Sequence, residues 1–173
     1  MHAPDSFRTA RLIASRIIES DFADLFAMYQ DPVVMATLGG VNSAPHARRV
    51  IAQALEHWDR YGYGIWVLRQ LGSGSFAGRA GLRNVTIDSV AEIELLYALR
   101  AELWGRCLAT EISEAILTIA FRVLHLESVV AFTLPTNRAS RRVMEKSGFT
   151  YQRDILHDRL PHVLYRVAPR PRR

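Results

Sequence analysis

Ile112, Ala115, Ile116, Ile119, Ala120, Val123 and Leu124 recur at alternating gaps of three and one. That is the spacing of a helix with one face against a core. Short apolar segments of strand length stand on either side, at 92–99 and 128–133. A strand, a helix and a second strand in that order form a crossover, which leaves the two strands parallel. A mixed sheet with helices on both faces accommodates this unit. The loop at 103–111 feeds the N-terminus of that helix from the end of the first strand. An open α/β sheet usually binds an anionic ligand at such a place.

The rest of the chain fits around this unit. Residues 12–18 read as a strand. Ser20 offers an N-cap oxygen to a helix carrying Phe22, Leu25, Phe26 and Tyr29, which Pro32 ends. Gly39-Gly40 marks a loop. Ser43 then caps a helix whose stripe is Val50, Ile51, Ala54, Leu55 and Trp58, broken by Gly62 and Gly64. Residues 65–69 and 76–83 read as a hairpin about Gly72-Ser73-Gly74, and the polar stretch 84–91 reads as a loop. Residues 137–146 form a helix, with Asn137 in N-cap position and Gly148 as a left-handed C′ residue. Two strands close the chain, near 149–154 and 162–167. The order is β-α-α-β-β-β-α-β-α-β-β. The fold class is α/β (α+β), one domain with a mixed, mostly antiparallel sheet of about seven strands and about four helices.

Composition sets outer limits. The 173 residues suit one domain, with 9–167 as its core and 168–173 as a basic tail. At 49% hydrophobic and 23% charged residues, a mostly disordered chain is excluded. One cysteine excludes an intramolecular disulfide and a multi-cysteine zinc site. The six histidines show neither His-x-x-x-His nor His-x-His spacing, so no metal is expected. No apolar run approaches the ~20 residues of a membrane span. The first eleven residues lack the apolar stretch of a secretory signal. A cytoplasmic protein with no membrane partner is the expectation. Much of the net +5 charge sits at Arg166, Arg170, Arg172 and Arg173, among Pro169 and Pro171. This reads as a solvated tail, because no aromatic residue stands among 170–173 to stack on bases.

Three segments carry the chemistry. They are Glu94-Leu95-Leu96-Tyr97, then Trp104-Gly105-Arg106-Cys107-Leu108-Ala109-Thr110-Glu111, then Asn137-Arg138-Ala139-Ser140-Arg141-Arg142-Val143-Met144-Glu145-Lys146-Ser147-Gly148-Phe149. Together they strongly resemble the GNAT superfamily of acyl-CoA-dependent N-acyltransferases. Within it they are similar to the RimJ/RimL-like branch, which includes enzymes that acetylate the N-termini of ribosomal proteins. Thr9-Ala10-Arg11-Leu12, Asp31-Pro32, Leu38-Gly39-Gly40 and Gly62-Tyr63-Gly64-Ile65-Trp66 extend the resemblance over residues 9–167.

The resemblance implies an acetyltransferase, with acetyl-CoA as co-substrate and a primary amine as acceptor. That acceptor is a protein N-terminus, such as that of a ribosomal protein, or a small-molecule amine. The protein is expected as a monomer or homodimer. Gly105, Arg106, Cys107, Leu108, Ala109 and Thr110 would wrap the CoA pyrophosphate. Tyr97 and Leu99, on the strand whose free amides pair with the pantetheine, would bind the cofactor with Asn137 and Arg142. Glu94 is the candidate general base, directly or through a water, with Glu92 behind it. Ser140 is the candidate acid for the departing thiolate, and no Tyr occurs between 137 and 148, where many members carry one.

Three positions depart from the family pattern. Cys107 and Leu96 stand where Gly is usual or frequent, and Ala101 where Pro is common. A side chain at 107 fits if that residue is helical and the thiol points away. A covalent role for Cys107 is rejected, because the pyrophosphate loop lies a whole pantetheine arm from the thioester. His157 and His162, flanking Pro161, are expected to line the loop before the last strand. Trp58, Tyr61, Tyr63 and Trp66 line the acceptor site or pack the core, and the helical stripe assigns Trp58 to the core. Two alternatives stand behind the enzyme reading. One is a CoA-binding module with little or no turnover; the other is a nucleic-acid binder using the basic tail.

Overall fold

The computed structural model describes residues 1–169, so the arginines at 170–173 lie outside the described residues. The chain opens with β1 (Ser6–Arg8), β2 (Leu12–Arg16), α1 (Phe22–Tyr29), α2 (Pro32–Met35) and α3 (Ala44–Tyr61). A meander follows: β3 (Ile65–Gln70), β4 (Phe76–Ile87) and β5 (Val90–Leu99). Then come α4 (Leu108–Arg122), β6 (Val129–Thr133), α5 (Arg138–Lys146), β7 (Thr150–His157) and β8 (Leu160–Val167). The eight strands form one sheet in the order β1-β2-β3-β4-β5-β6-β8-β7. Every pairing is antiparallel except β5 with β6. The crossover through α4 therefore produces the parallel pair that its sequence pattern requires.

Several local expectations change. The sheet has eight strands because β1, three residues long, adds to β2 at the sheet edge. So short a segment carries no periodicity to read. The stretch 84–91 is a hairpin rather than a loop. Strand β4 runs on to Ile87, and Asp88-Ser89 turn the chain with φ of 47° and 67°. Two left-handed residues match the twist of the flanking strands. The polar residues there face solvent, while Val85 and Ile87 pack with Val130, Phe132, Ile155 and Leu164 in a small second core. Asp158-Arg159 close β7 and β8 in the same way, with φ of 49° and 64°.

The helix starts also shift. Asp21 rather than Ser20 is the N-cap of α1, and its carboxylate accepts from the Ile18 N–H at 3.0 Å. Helix α1 ends at Tyr29, and Pro32 opens α2 behind an Asp31 cap that accepts from the Val33 N–H at 2.8 Å. Pro at a first helical position removes an N–H that has no partner in any case. There are accordingly five helices against about four expected among the described residues. Ser43 caps α3 as expected, accepting from His46, and Gly62 ends it in a left-handed conformation.

Alternation along β4 and β5 decides what each face carries. Their register is continuous, with Arg83 opposite Glu94 and Ala80 opposite Tyr97. Side chains on one face recur every second residue, so Arg79, Arg83 and Glu94 share one face and Tyr97 lies on the other. The first face meets α1, where the Arg79 guanidinium lies 5.4 Å from the Tyr29 ring centroid. The second meets α5, where the Tyr97 and Tyr165 hydroxyls bond Ser140 and Glu145.

Gly78 fixes the approach of β4 to β5. Its φ is +148°, and a Cβ there would sit 2.8 Å from the Leu99 Cα and closer still to the Ala98 carbonyl oxygen. Gly78→Ala is expected to lower the unfolding free energy by about 3 kcal/mol, read by urea denaturation with an unchanged m-value.

Candidate active site

Strands β5 and β6 register at one pair only, Glu94 with Val130. By contrast β4 and β5 register along ten pairs, from Gly78–Leu99 to Ile87–Val90. Beyond Glu94 the parallel strands diverge, so β5 from Leu95 to Leu99 has no ladder partner on its β6 edge. Alternate main-chain N–H and C=O groups on that edge are left for a ligand or water. Tyr97 and Leu99 lie on this open stretch.

The two candidate proton-transfer residues sit on opposite faces of this gap. Glu94 is 5% exposed, and its carboxylate accepts from Arg83 Nε at 2.5 Å. Burial drives its pKa above the ordinary carboxylate value, against the opposing pull of Arg83, His157 and Arg79. Glu92, on the same face, is held by Arg166 at 2.5 Å, a partner that leaves it structural work.

On the other face, Tyr97 reaches α5, three residues or about 10 Å along the strand from Glu94. Its hydroxyl lies 2.9 Å from Ser140 Oγ and 3.1 Å from the Ser140 carbonyl oxygen. Burial pushes the Tyr97 pKa up to about 12, with the Ser140 hydrogen bond pulling the other way. Asn137 caps α5 as the sequence pattern indicates, accepting from the Ser140 N–H at 3.1 Å. Asn137 thus fixes the Ser140 main chain, and Tyr97 contacts its hydroxyl. Sequence reasoning finds no Tyr within α5; the structure supplies one from β5 instead. No local pattern joins positions 97 and 140, so the pairing is visible only in three dimensions.

The loop between β5 and α4 turns on two left-handed residues, Gly105 at φ 75° and Cys107 at φ 61°. Cys107 is the left-handed N-cap of α4 and is exposed, so the helical backbone that would let a side chain fit at 107 is not what forms. Left-handed residues alternating with an ordinary one turn successive N–H groups to the same side, a concavity suited to anions. Arg106 and Trp104 are exposed there, while Leu108 is buried and Ala109 and Thr110 are half-buried. The Trp104 ring N–H donates to the Leu99 carbonyl at 2.9 Å, tying the loop to the end of β5. Arg142 projects into solvent from α5.

A clamp missed by the sequence reading holds this loop. Glu111, in the first turn of α4, accepts from Thr9 Oγ1 at 2.5 Å, the Arg11 N–H at 2.9 Å and Arg11 Nε at 2.7 Å. Arg11 also donates to the Arg106 carbonyl at 2.9 Å. Burial alone would raise the Glu111 pKa, but the bonds from Thr9 and Arg11 outweigh it and hold the carboxyl below its usual value. A cleft of about 610 Å³ opens beside this clamp between Arg11, Arg106, Leu108 and the β3–β4 turn. Glu94, Tyr97 and Ser140 do not line it.

The aromatic residues divide. Trp58 and Trp66 are 3% and 0% exposed and pack edge to face at 5.1 Å, and Tyr63 is buried. Of the four considered for the acceptor site, Tyr61 alone is exposed: α3 carries Trp58 and β3 carries Trp66 into the core, and Tyr63 is buried between these two elements. His157 ends β7 and His162 lies within β8 rather than in a loop, and their rings meet Phe132 tilted and edge-on, with centroids at 4.6 and 5.4 Å, on the Glu94 side of the sheet. Among the described residues, no helix is long and apolar enough to cross a membrane, and no group of three His, Cys, Asp or Glu is placed to hold a metal.

A sequence profile of the acetyltransferase (GNAT) domain matches residues 11–150. The chain belongs to the GNAT acetyltransferase family. As a GNAT protein it is 27% identical to YkkB of Bacillus subtilis (strain 168) over 166 residues, 95% of this chain and 96% of that one. A solved acetyltransferase from Agrobacterium tumefaciens superposes with a TM-score of 0.84 at 25% identity, covering 98% of this chain and 97% of the other. RimL, a ribosomal-protein alpha-N acetyltransferase solved with coenzyme A, superposes at 0.78 and 14% identity, covering 97% and 98%. The latter similarity is one of fold. A GNAT fold of this kind is that of an acyl-CoA-dependent acetyltransferase.

Cys107 marks a local conflict between residue type and backbone. Left-handed φ costs an L-residue ~1–2 kcal/mol, and Gly loses ~0.5–1 kcal/mol relative to Ala through its freer unfolded chain. Cys107→Gly is therefore expected to stabilise the protein by about 0.5–1 kcal/mol. Cys107→Ala keeps the strain and should bring no such gain, with both read by chemical denaturation.

Proposed function

We propose that the protein, with residues 1–173 as a single acetyltransferase domain whose core is 9–167, transfers the acetyl group of acetyl-CoA to a primary amine by direct attack in a ternary complex. The observation that carries this reading is the single-pair contact of β5 and β6. It leaves an open strand edge between a buried carboxylate and a pair of hydroxyls. The edge from Leu95 to Leu99 suits the amide-rich pantetheine arm. The alternating left-handed turns at Gly105 and Cys107, ahead of the α4 N-terminus, suit the pyrophosphate. Gly105 meets nothing within 4 Å of where a Cβ would stand, which leaves its main chain open to approach. Leu108, Ala109, Thr110, Asn137 and Arg142 extend the cofactor surface.

In this reaction the amine nitrogen attacks the thioester carbon, the C–N bond forms and the C–S bond breaks. Glu94 takes the proton lost by the amine, directly or through one water, and Arg83 orients its carboxylate. Main-chain N–H groups of β5 stabilise the oxyanion. The Ser140 hydroxyl, backed by Tyr97, gives its proton to the departing thiolate and regains one from solvent. Tyr97 keeps its own proton at any working pH, given a pKa of about 12, so it acts as a donor and not as a base. An N-terminal α-amine, with pKa about 7.7–8.0, needs little help from Glu94; a lysine-like amine at about 10.4 needs more. The similarity in fold to RimL supports an N-terminal amine among the acceptors to test.

Acetyl-CoA and free CoA should both stabilise the protein, by roughly 2.7 kcal/mol at a concentration of 100 Kd. Absence of a thermal shift at millimolar CoA, with the protein folded, overturns the reading. With a lysine-like acceptor, Glu94→Gln should lower kcat/KM about 100-fold while the CoA-induced shift persists. The base acts only when ionised, and burial raises its pKa above the reference 4.5. The acid limb of kcat/KM should therefore lie above the ordinary carboxylate range and vanish in Glu94→Gln.

A further inference from the structure

The face of the sheet that carries Glu94 holds one arginine unlike its neighbours. Arg69 is paired with Asp21 at 3.2 Å and Asp24 at 2.9 Å, Arg83 with Glu94 at 2.5 Å, and Arg166 with Glu92 at 2.5 Å. Arg79 lies opposite Ala98 on β4, four residues before Arg83 and on the same face. Among the described residues it has no carboxylate within ion-pair distance, and its buried Nε has no hydrogen-bond partner. The Tyr29 hydroxyl, on a side chain 2% exposed, is likewise buried without a partner among the described residues.

Leaving a buried donor unsatisfied is costly, and native chains do so rarely. Here two such groups belong to side chains in contact, the guanidinium carbon lying 5.4 Å from the Tyr29 ring centroid. Arg79 is close enough to Glu94 to pull its proton affinity down. The pair thus stands on the Glu94 side of the gap between β5 and β6, the side from which Glu94 can take the proton of an amine. A guanidinium and a phenolic hydroxyl offer charge-assisted donors to one planar anion. One cation without a carboxylate partner matches one negative charge.

We infer that the acceptor is a small primary amine that also carries a carboxylate, bound through Arg79 and Tyr29 while its amine faces Glu94. This rests on the acetyl-transfer reading and names the substrate class of the same site. The carboxylate supplies what the fold leaves out: an acceptor for the Arg79 Nε–H and for the Tyr29 hydroxyl. Arg79 and Tyr29 select the acceptor and take no part in bond making.

The test is a panel of matched pairs with acetyl-CoA. β-Alanine, 4-aminobutyrate, 6-aminohexanoate and L-alanine are each compared with the amine of the same skeleton lacking the carboxylate. In at least one pair the carboxylated amine should have a kcat/KM tenfold or more above its partner, and the pair reveals the amine-to-carboxylate spacing. In that pair Arg79→Gln should reduce the ratio at least tenfold, mainly through KM, and Arg79→Lys should restore part of it. Tyr29→Phe should weaken the carboxylated member severalfold without lowering the melting temperature, since it deletes a hydroxyl that has no partner. Calorimetric titration of the same pairs into the CoA-saturated protein should rank them in the same order. Equal use of both members in every pair overturns the inference, as does an Arg79→Gln effect shared equally by both. Rejection of every carboxylated amine by a protein that binds acetyl-CoA also overturns it and leaves the acetyl-transfer reading standing. A protein that binds neither acetyl-CoA nor CoA overturns that reading and this inference with it.

Discussion

β5 and β6 run parallel because α4 must carry the chain from the end of one strand to the start of the next. They meet at Glu94 and Val130 and then part. A fully zipped ladder would consume the main-chain groups of residues 95–99 and bury the gap. The divergence is held open by what flanks it. β5 is committed along its whole length to β4, and β6 to β8 through five pairs from Val129–Val167 to Thr133–Val163. Each strand follows its own antiparallel neighbour as the sheet twists. The opening is thus a consequence of sheet geometry and does not depend on a mobile loop.

The buried carboxylate at the vertex comes with a stability term of defined sign. Glu94 binds its proton more tightly in the folded protein than in the unfolded chain, because burial penalises the anion more than Arg83 compensates. Between the unfolded and folded pKa values the folded state holds the extra proton. Stability from this group therefore falls as pH rises through that window. Glu111 has the opposite sign: its lowered pKa adds stability above the ordinary carboxylate value and loses it as pH falls through the folded one. Arg11, half-exposed at 51%, limits that gain through solvent screening. Burial disfavours the ionised form of one carboxylate, while the other is satisfied and holds the loop.

Much was legible in the sequence. The stripe from Ile112 to Leu124 specified α4 and hence the parallel crossover. Ser43 and Asn137 announced helix starts, and Gly62 and Gly148 announced helix ends. These are short-range signals, set by hydrogen bonds and dihedrals within a turn or two of the residue concerned. The same short range explains the failures. The polar stretch 84–91 hid a hairpin because its buried Val85 and Ile87 find their partners on β6, β7 and β8. Ser20 lost its cap to Asp21 because the Asp21 carboxylate reaches back to Ile18.

By itself the sequence determined the family and the order of elements from β3 to β8, since both are written in contiguous segments. Only the tertiary structure decided the partners. Glu111 is clamped by Arg11 from 100 positions away, and Tyr97 meets Ser140 across 43. Among the described residues Arg79 has no carboxylate partner, while Arg69 and Arg83 find theirs. Side-chain periodicity shows which face a residue occupies, but not which charge on another strand or helix arrives opposite it. That depends on register and twist summed over the whole sheet, which no local stretch of sequence contains.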